Sequence, residues 1–123
     1  MEDLVIKETQ QTPRVVFRLN GEFLIEGISL PSNVHDFYDS VNSWLDEFAK
    51  QPSPAVNLTL HFEYFNTSSS LTIHGILKKL IALKDKGCAV TITWVYDEDD
   101  RDMYDEGMLF QNRVDFEFRF ATT

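Results

Sequence analysis

Val56-Asn57-Leu58-Thr59-Leu60-His61-Phe62-Glu63-Tyr64-Phe65-Asn66-Thr67-Ser68-Ser69-Ser70 changes its periodicity partway through. Val56, Leu58, Leu60, Phe62 and Tyr64 alternate with Asn57, Thr59, His61 and Glu63, the period-two pattern of a strand with one buried and one wet face. Beyond it, Ile73, Ile76, Leu77, Leu80 and Ile81 recur at three- and four-residue steps up to Lys86-Gly87, which predicts a helix closed by a glycine. Asn66 and the four consecutive hydroxyls of Thr67, Ser68, Ser69 and Ser70 therefore stand at a helix N-terminus. A helix start leaves backbone N–H groups without partners, and Asn, Ser or Thr side chains satisfy them. Capping accounts for any one of these residues, but four hydroxyls in a row exceed what one cap needs. The same helix end accommodates a phosphate through its free N–H groups and the positive end of the macrodipole. A phosphorylated hydroxyl here is compatible with the fold.

Upstream, Arg14 to Leu19 and Glu22 to Ile28 read as strands joined at Asn20-Gly21. That dipeptide is a strong hairpin signal because both central positions of a type I′ turn take positive φ. Leu4-Val5-Ile6 is a short apolar patch ahead of it. Asn33 with Asp36 makes an N-cap and first-turn acid for a helix carrying Val34, Phe37, Tyr38, Val41, Trp44, Leu45 and Phe48 on one stripe. Gln51-Pro52-Ser53-Pro54 ends that helix, since proline cannot continue it.

Downstream, Val90, Ile92, Trp94 and Tyr96 alternate with Thr91, Thr93 and Val95 in a second half-buried strand. Strand, helix and strand make a βαβ unit with parallel strands. The acidic run Asp97 to Asp102 opens a third helix with Met103, Met108 and Phe110, and its carboxylates complement the helix dipole. Phe116, Phe118 and Phe120 alternate with Asp115, Glu117 and Arg119 in a last strand. Parallel strands bring the loops after Tyr64 and Tyr96 to one edge of the sheet, where ligands of α/β folds usually bind. Residues 1–123 thus form a single α/β (α+β) domain. Its mixed sheet carries helices mainly on one face, because Asn57, Thr59, His61 and Glu63 keep the other side polar.

Composition narrows the function. A net charge of −9 and a pI near 4.6 disfavour a general binder of nucleic acid or anionic membrane, which needs a basic footprint. No charged-then-apolar leader and no apolar run approaching a membrane span occurs, which predicts a soluble cytoplasmic protein. The single Cys88 cannot make an internal disulfide and reads as a small buried hydrophobe. An enzyme finds little support. His35, His61 and His74 belong to different elements without a triad partner. Glycine elbows, zinc-binding His pairs and phosphate loops are missing, and Asp97-x-Asp99 does not continue as a calcium loop. No metal or cofactor is implied.

The opening Met1-Glu2-Asp3-Leu4-x-Ile6 with Thr9 and Thr12-Pro13, the stretch Tyr64 to Ser69, and Thr93-Trp94-x-Tyr96 with its acidic continuation together resemble the SiaC family of bacterial regulatory phosphoproteins. The likeness runs nearly end to end. It implies a fold similar to STAS-type anti-sigma-factor antagonists, in which a Ser or Thr at this joint accepts phosphate. By motif position the acceptor is Thr67, and Tyr64, Asn66, Thr67, Ser68 and Ser69 form the partner-binding site. The resemblance further implies that a cognate serine/threonine protein kinase phosphorylates Thr67 and a metal-dependent serine/threonine phosphatase reverses it. The unphosphorylated form is then expected to bind and activate a diguanylate cyclase, raising cyclic diguanylate and favouring aggregation or biofilm growth. The alternative is an anti-sigma-factor antagonist in a transcriptional partner switch.

Overall fold

The computed structural model describes residues Met1–Thr123. In chain order the elements are β1 (Leu4–Ile6), β2 (Arg14–Phe17), β3 (Glu22–Ser29), α1 (Val34–Phe48), β4 (Ala55–Phe65), α2 (Thr67–Ala82), β5 (Ala89–Tyr96), α3 (Arg101–Val114) and β6 (Arg119–Thr122). All six strands form one sheet in the order β1-β2-β3-β4-β5-β6. The first two pairings are antiparallel and the remaining three are parallel.

That order explains the layering. Three successive parallel steps each advance one place in the same direction through a helix. Right-handed crossovers of that kind set all their helices on the same face. One core agrees with this: Tyr38, Val41, Leu45 and Phe48 of α1, Ile73, Ile76, Leu77 and Leu80 of α2, and Met103 and Phe110 of α3 cluster with Ile25, Leu58, Leu60, Ile92 and Trp94 of the sheet. The opposite face stays open, with Asn57 and Glu63 exposed, Thr59 and His61 half-buried, and an Arg14–Glu26 ion pair of 2.9 Å across β2 and β3. A mixed sheet with helices on one face was legible from the polar side of β4; the sequence reading had one βαβ unit where the structure has three.

Each helix begins on its own cap. Asn33 Oδ1 accepts from the N–H groups of His35 and Asp36, Asn66 Oδ1 from that of Ser69, and Asp100 Oδ1 from that of Met103. α2 ends in a 3-10 turn, Leu83–Lys86, and Gly87 closes it at φ +90°. α3 lies close on β5 because Gly107 has no side chain: a Cβ there would stand 2.5 Å from Trp94 Cδ1. Trp94 Nε1 donates to the Met103 carbonyl at 3.0 Å on the same face.

Three local readings change. The hairpin between β2 and β3 is not a two-residue turn with positive φ at both Asn20 and Gly21. Only Gly21 is left-handed, at φ +96°. The Arg18 carbonyl accepts from Gly21 N–H and Arg18 N–H donates to the Glu22 carbonyl, so the loop is Leu19-Asn20-Gly21. This is the three-residue hairpin with a glycine bulge. Position 21 admits only glycine, because its backbone lies against the start of β4, where a Cβ would collide with the Ala55 carbonyl.

The second change concerns Tyr64. Gly27 pairs with Phe62 but Ile28 pairs with Tyr64, leaving Glu63 as an extra residue in β4. A bulge of this kind shifts the side-chain alternation by one. Tyr64, the last residue of the apolar series in sequence, is therefore 54% exposed, and Phe65 turns inward against Phe62, Trp94 and Phe110. Finally, the C-terminal strand starts at Arg119, not among Phe116 and Phe118. The N–H of Phe118 is taken by Gln111 Oε1 at 2.8 Å, so ladder pairing with β5 begins only after it. The Leu4-Val5-Ile6 patch, for its part, becomes the edge strand β1 on β2.

Candidate functional site

The four hydroxyls at the start of α2 divide sharply by environment. Asn66 leaves β4 with extended backbone and caps α2, its Oδ1 accepting from Ser69 N–H at 2.9 Å and from Ser68 Oγ at 3.1 Å. Its carbonyl accepts from Ser70 N–H and its own N–H donates to the Ser29 carbonyl. The N–H groups of Thr67 and Ser68 are what remains open at the helix start. Thr67 is exposed and its hydroxyl enters no intramolecular hydrogen bond, while Ser68 is exposed but tied to the cap. Ser70 is half-buried.

Ser69 is a correction to the expected partner-binding set, because it is completely buried. Its Oγ donates to the Ser29 carbonyl at 3.0 Å and accepts from Ser29 Oγ at 2.8 Å. Ser29 Oγ has then spent its only proton, so the 2.6 Å contact with Tyr38 must be donated by the Tyr38 hydroxyl. The result is a directed chain from Tyr38 through Ser29 and Ser69 to the Ser29 carbonyl. It ties α1, the end of β3 and the start of α2 together. Burial pushes the Tyr38 hydroxyl up to about 12. Ser69 positions the joint and offers a partner nothing to touch. Ser29 and Tyr38 were missed from sequence, since neither lies near Ser69 in the chain and only the folded edge joins them.

Of the expected residues, Tyr64, Asn66, Thr67 and Ser68 come together at the C-terminal edge of β4, with Tyr64, Thr67 and Ser68 exposed and Asn66 half-buried. β4 and β5 are parallel, so the acidic run after Tyr96 emerges at that same edge. Asp97 itself turns toward the open face: its Oδ1 accepts from Thr123 Oγ1 at 2.7 Å and lies 3.8 Å from His61 Nε2. Asp97 and His61 also line a wide concavity of about 430 Å³ with Glu8, Arg14, Glu26, Gly27 and Glu63. No apolar side chain lines it, unlike the apolar clefts that hold most small ligands. Leu71, one turn beyond Thr67, is 73% exposed; the signal in sequence is that Leu71 falls off the buried stripe of α2.

Comparison with known proteins agrees with this geometry. The model of the SiaC family of regulatory phosphoproteins matches residues 6–123. An uncharacterised protein of Pseudomonas aeruginosa strain UCBPP-PA14 is 32% identical over 98 residues, which are 79% of this chain and 78% of that one. Among solved structures, apo-SiaC from Pseudomonas aeruginosa superposes with a TM-score of 0.85 at 31% identity, covering 100% of this chain and 99% of the other. The crystal structure of the diguanylate cyclase SiaD in complex with its activator SiaC, from the same organism, contains a chain that superposes with a TM-score of 0.90. That match is 27% identical and covers 98% of this chain and 100% of that one. The chain belongs to the SiaC family of regulatory phosphoproteins, and its six-stranded mixed sheet with three helices is the fold of the SiaC structures. No helix is long and apolar enough to cross a membrane.

Proposed function

We propose that this chain is a phosphorylation-switched cytoplasmic adaptor whose form unphosphorylated at Thr67 binds and activates a diguanylate cyclase, and so controls cyclic diguanylate signalling and biofilm growth or aggregation. The observation that carries the reading is the division of hydroxyls at the α2 start: Thr67 alone is both exposed and unbonded, so a kinase can modify it without opening the fold. Family membership and the complex of SiaD with its activator SiaC support the choice of partner. A cognate serine/threonine kinase adds the phosphate and a metal-dependent serine/threonine phosphatase removes it. The adaptor works by contact and needs no cofactor of its own.

Charge supplies the switch. Phosphate on Thr67 adds about −1.5 to −2 charges at neutral pH to a chain already at −9. The free N–H groups of Thr67 and Ser68 and the helix dipole offset part of that locally, so the fold persists. A partner packed over the uncharged hydroxyl would instead have to bury a dianion. An unpaired buried charge costs about 3–5 kcal/mol, and about 1.4 kcal/mol is a tenfold loss of affinity. Binding should fall by about 100-fold or more.

The test titrates a purified diguanylate cyclase with unmodified and Thr67-phosphorylated chain, following cyclic diguanylate production and the circular dichroism of both forms. Thr67→Ala should keep binding and lose phosphorylation, and Thr67→Asp should weaken binding only partly, since a carboxylate is smaller and less charged than a phosphate. Equal affinity of both forms would refute the switch. Loss of secondary structure on phosphorylation would replace the contact mechanism with unfolding, and capture of an anti-sigma factor in place of the cyclase would move the protein to transcriptional control.

A further inference from the structure

Helix α2 carries two features that its own domain does not use. Leu71 is 73% exposed, the most exposed large apolar side chain of the protein. Gly75 sits in the helix interior, where glycine is destabilising relative to alanine, and an added Cβ there would meet nothing within 4 Å. Gly107 shows what a helical glycine with an internal reason looks like, since its missing Cβ makes room for Trp94. Gly75 makes room for nothing inside the molecule.

Their placement is not independent. At about 100° per residue, Thr67, Leu71, Gly75 and Lys78 fall on one stripe. That stripe is opposite the buried Ser69, Ile73, Ile76, Leu77 and Leu80, with Leu71 at its outermost point. The charge of the region is also distinct. The chain holds 20 acidic residues, yet none lies between Glu63 and Asp85. Lys79 is paired with Asp46 at 2.9 Å, whereas Lys78 is exposed and enters no ion pair. A leucine knob, a glycine notch and a free ammonium, on a helix with no acidic residue of its own, are complementary to an apolar helix bearing a carboxylate.

We propose that the Leu71-Gly75-Lys78 stripe of α2 is the seat of a helix of the diguanylate cyclase, whose apolar side chain enters the notch over Gly75 and whose carboxylate faces Lys78. Ridges along i, i+4 rows seat in the grooves of a facing helix, and side-chain size at the crossing sets how near the axes come. Thr67 begins the same row, so its hydroxyl lies beneath the end of the seated helix. The inference rests on the cyclase reading above and gives that reading its contact surface.

The experiment uses Gly75→Ala, Gly75→Leu, Leu71→Ala and Lys78→Glu in the full chain, measuring thermal midpoint and affinity for the purified cyclase. Both glycine variants should raise the midpoint by about 3 °C while weakening binding, Gly75→Leu by tenfold or more. A gain in stability with a loss of affinity is a signature that damage to the fold does not produce. Leu71→Ala should also weaken binding by about tenfold, and Lys78→Glu should weaken it most at low salt. If wild type binds the cyclase and Gly75→Leu, folded, binds it equally well, the stripe is overturned and the cyclase reading stands. If wild type does not bind the cyclase, both fall together. Unchanged cyclase affinity with a raised KM for phosphorylation by the kinase would overturn the proposal in the kinase's favour, and a concentration-dependent dimer lost in Gly75→Leu would overturn it in favour of a second copy.

Discussion

Replacing Ser69 by alanine should separate the structural hydroxyl of the α2 start from the chemical one. Ser69 Oγ is fully buried and is both the acceptor of the Ser29 hydroxyl and the donor to the Ser29 carbonyl. Removing it strands one buried donor, because Tyr38 already donates to Ser29 and the pair can only pass the missing partner back and forth. An unsatisfied buried hydrogen-bonding group costs about 1–3 kcal/mol. For a domain of this size the thermal midpoint should fall by about 4 °C per kcal/mol, thus by about 4–12 °C. Ser68→Ala, at an exposed hydroxyl one residue away, should stay within about 0.5 kcal/mol of wild type. Urea denaturation followed by circular dichroism measures both. Ser29→Ala also strands one donor, the Tyr38 hydroxyl, and the Ser29→Ala/Ser69→Ala pair still strands only that one. The double variant should therefore cost well below the sum of its parts. Additive costs, or a Ser69→Ala as stable as Ser68→Ala, would refute the hydrogen-bond chain. The kinase should still phosphorylate Thr67 in folded Ser69→Ala protein, since Ser69 offers no surface.

Burial of Tyr38 makes stability depend on alkaline pH. Tyr38 has its hydroxyl raised from 10.0 to about 12 by burial, so the folded state holds its proton where the unfolded state has lost it. Stability is fully present below pH 10 and should be lost as pH rises from 10 through 12, by about 2–3 kcal/mol; Tyr38→Phe, assayed by urea titration across that range, should remove this component of the pH dependence. Gly107→Ala should destabilise by about 1–3 kcal/mol despite alanine's better helix propensity, because Trp94 must shift from its place against α3. A Gly107→Ala variant more stable than wild type, by the same denaturation, would show that the α3–β5 contact is looser than described.

How much of this was written in the chain depends on the range of the interaction involved. Periodicity and capping are local, so the strand through Leu58 and Leu60, the helices opened by Asn33 and Asn66, and the polar side of Asn57 to Glu63 could be read directly, and with them a mixed sheet covered on one face. The change of periodicity put Thr67 at the helix start for the same reason. What escaped was set by neighbours distant in sequence. The bulge at Glu63 depends on its pairing with Gly27 and Ile28, and it alone turns Tyr64 outward and Phe65 inward. The close approach of Gly21 to Ala55, at the start of β4 and 34 positions on, excludes a side chain at that bulge. Phe118 left the last strand because Gln111 claims its N–H. Above all, the sequence presents Thr67, Ser68, Ser69 and Ser70 as near equals. A hydroxyl's availability depends on what packs over it, and β3 and α1, meeting at Ser29 and Tyr38, bury Ser69 and leave Thr67 to solvent.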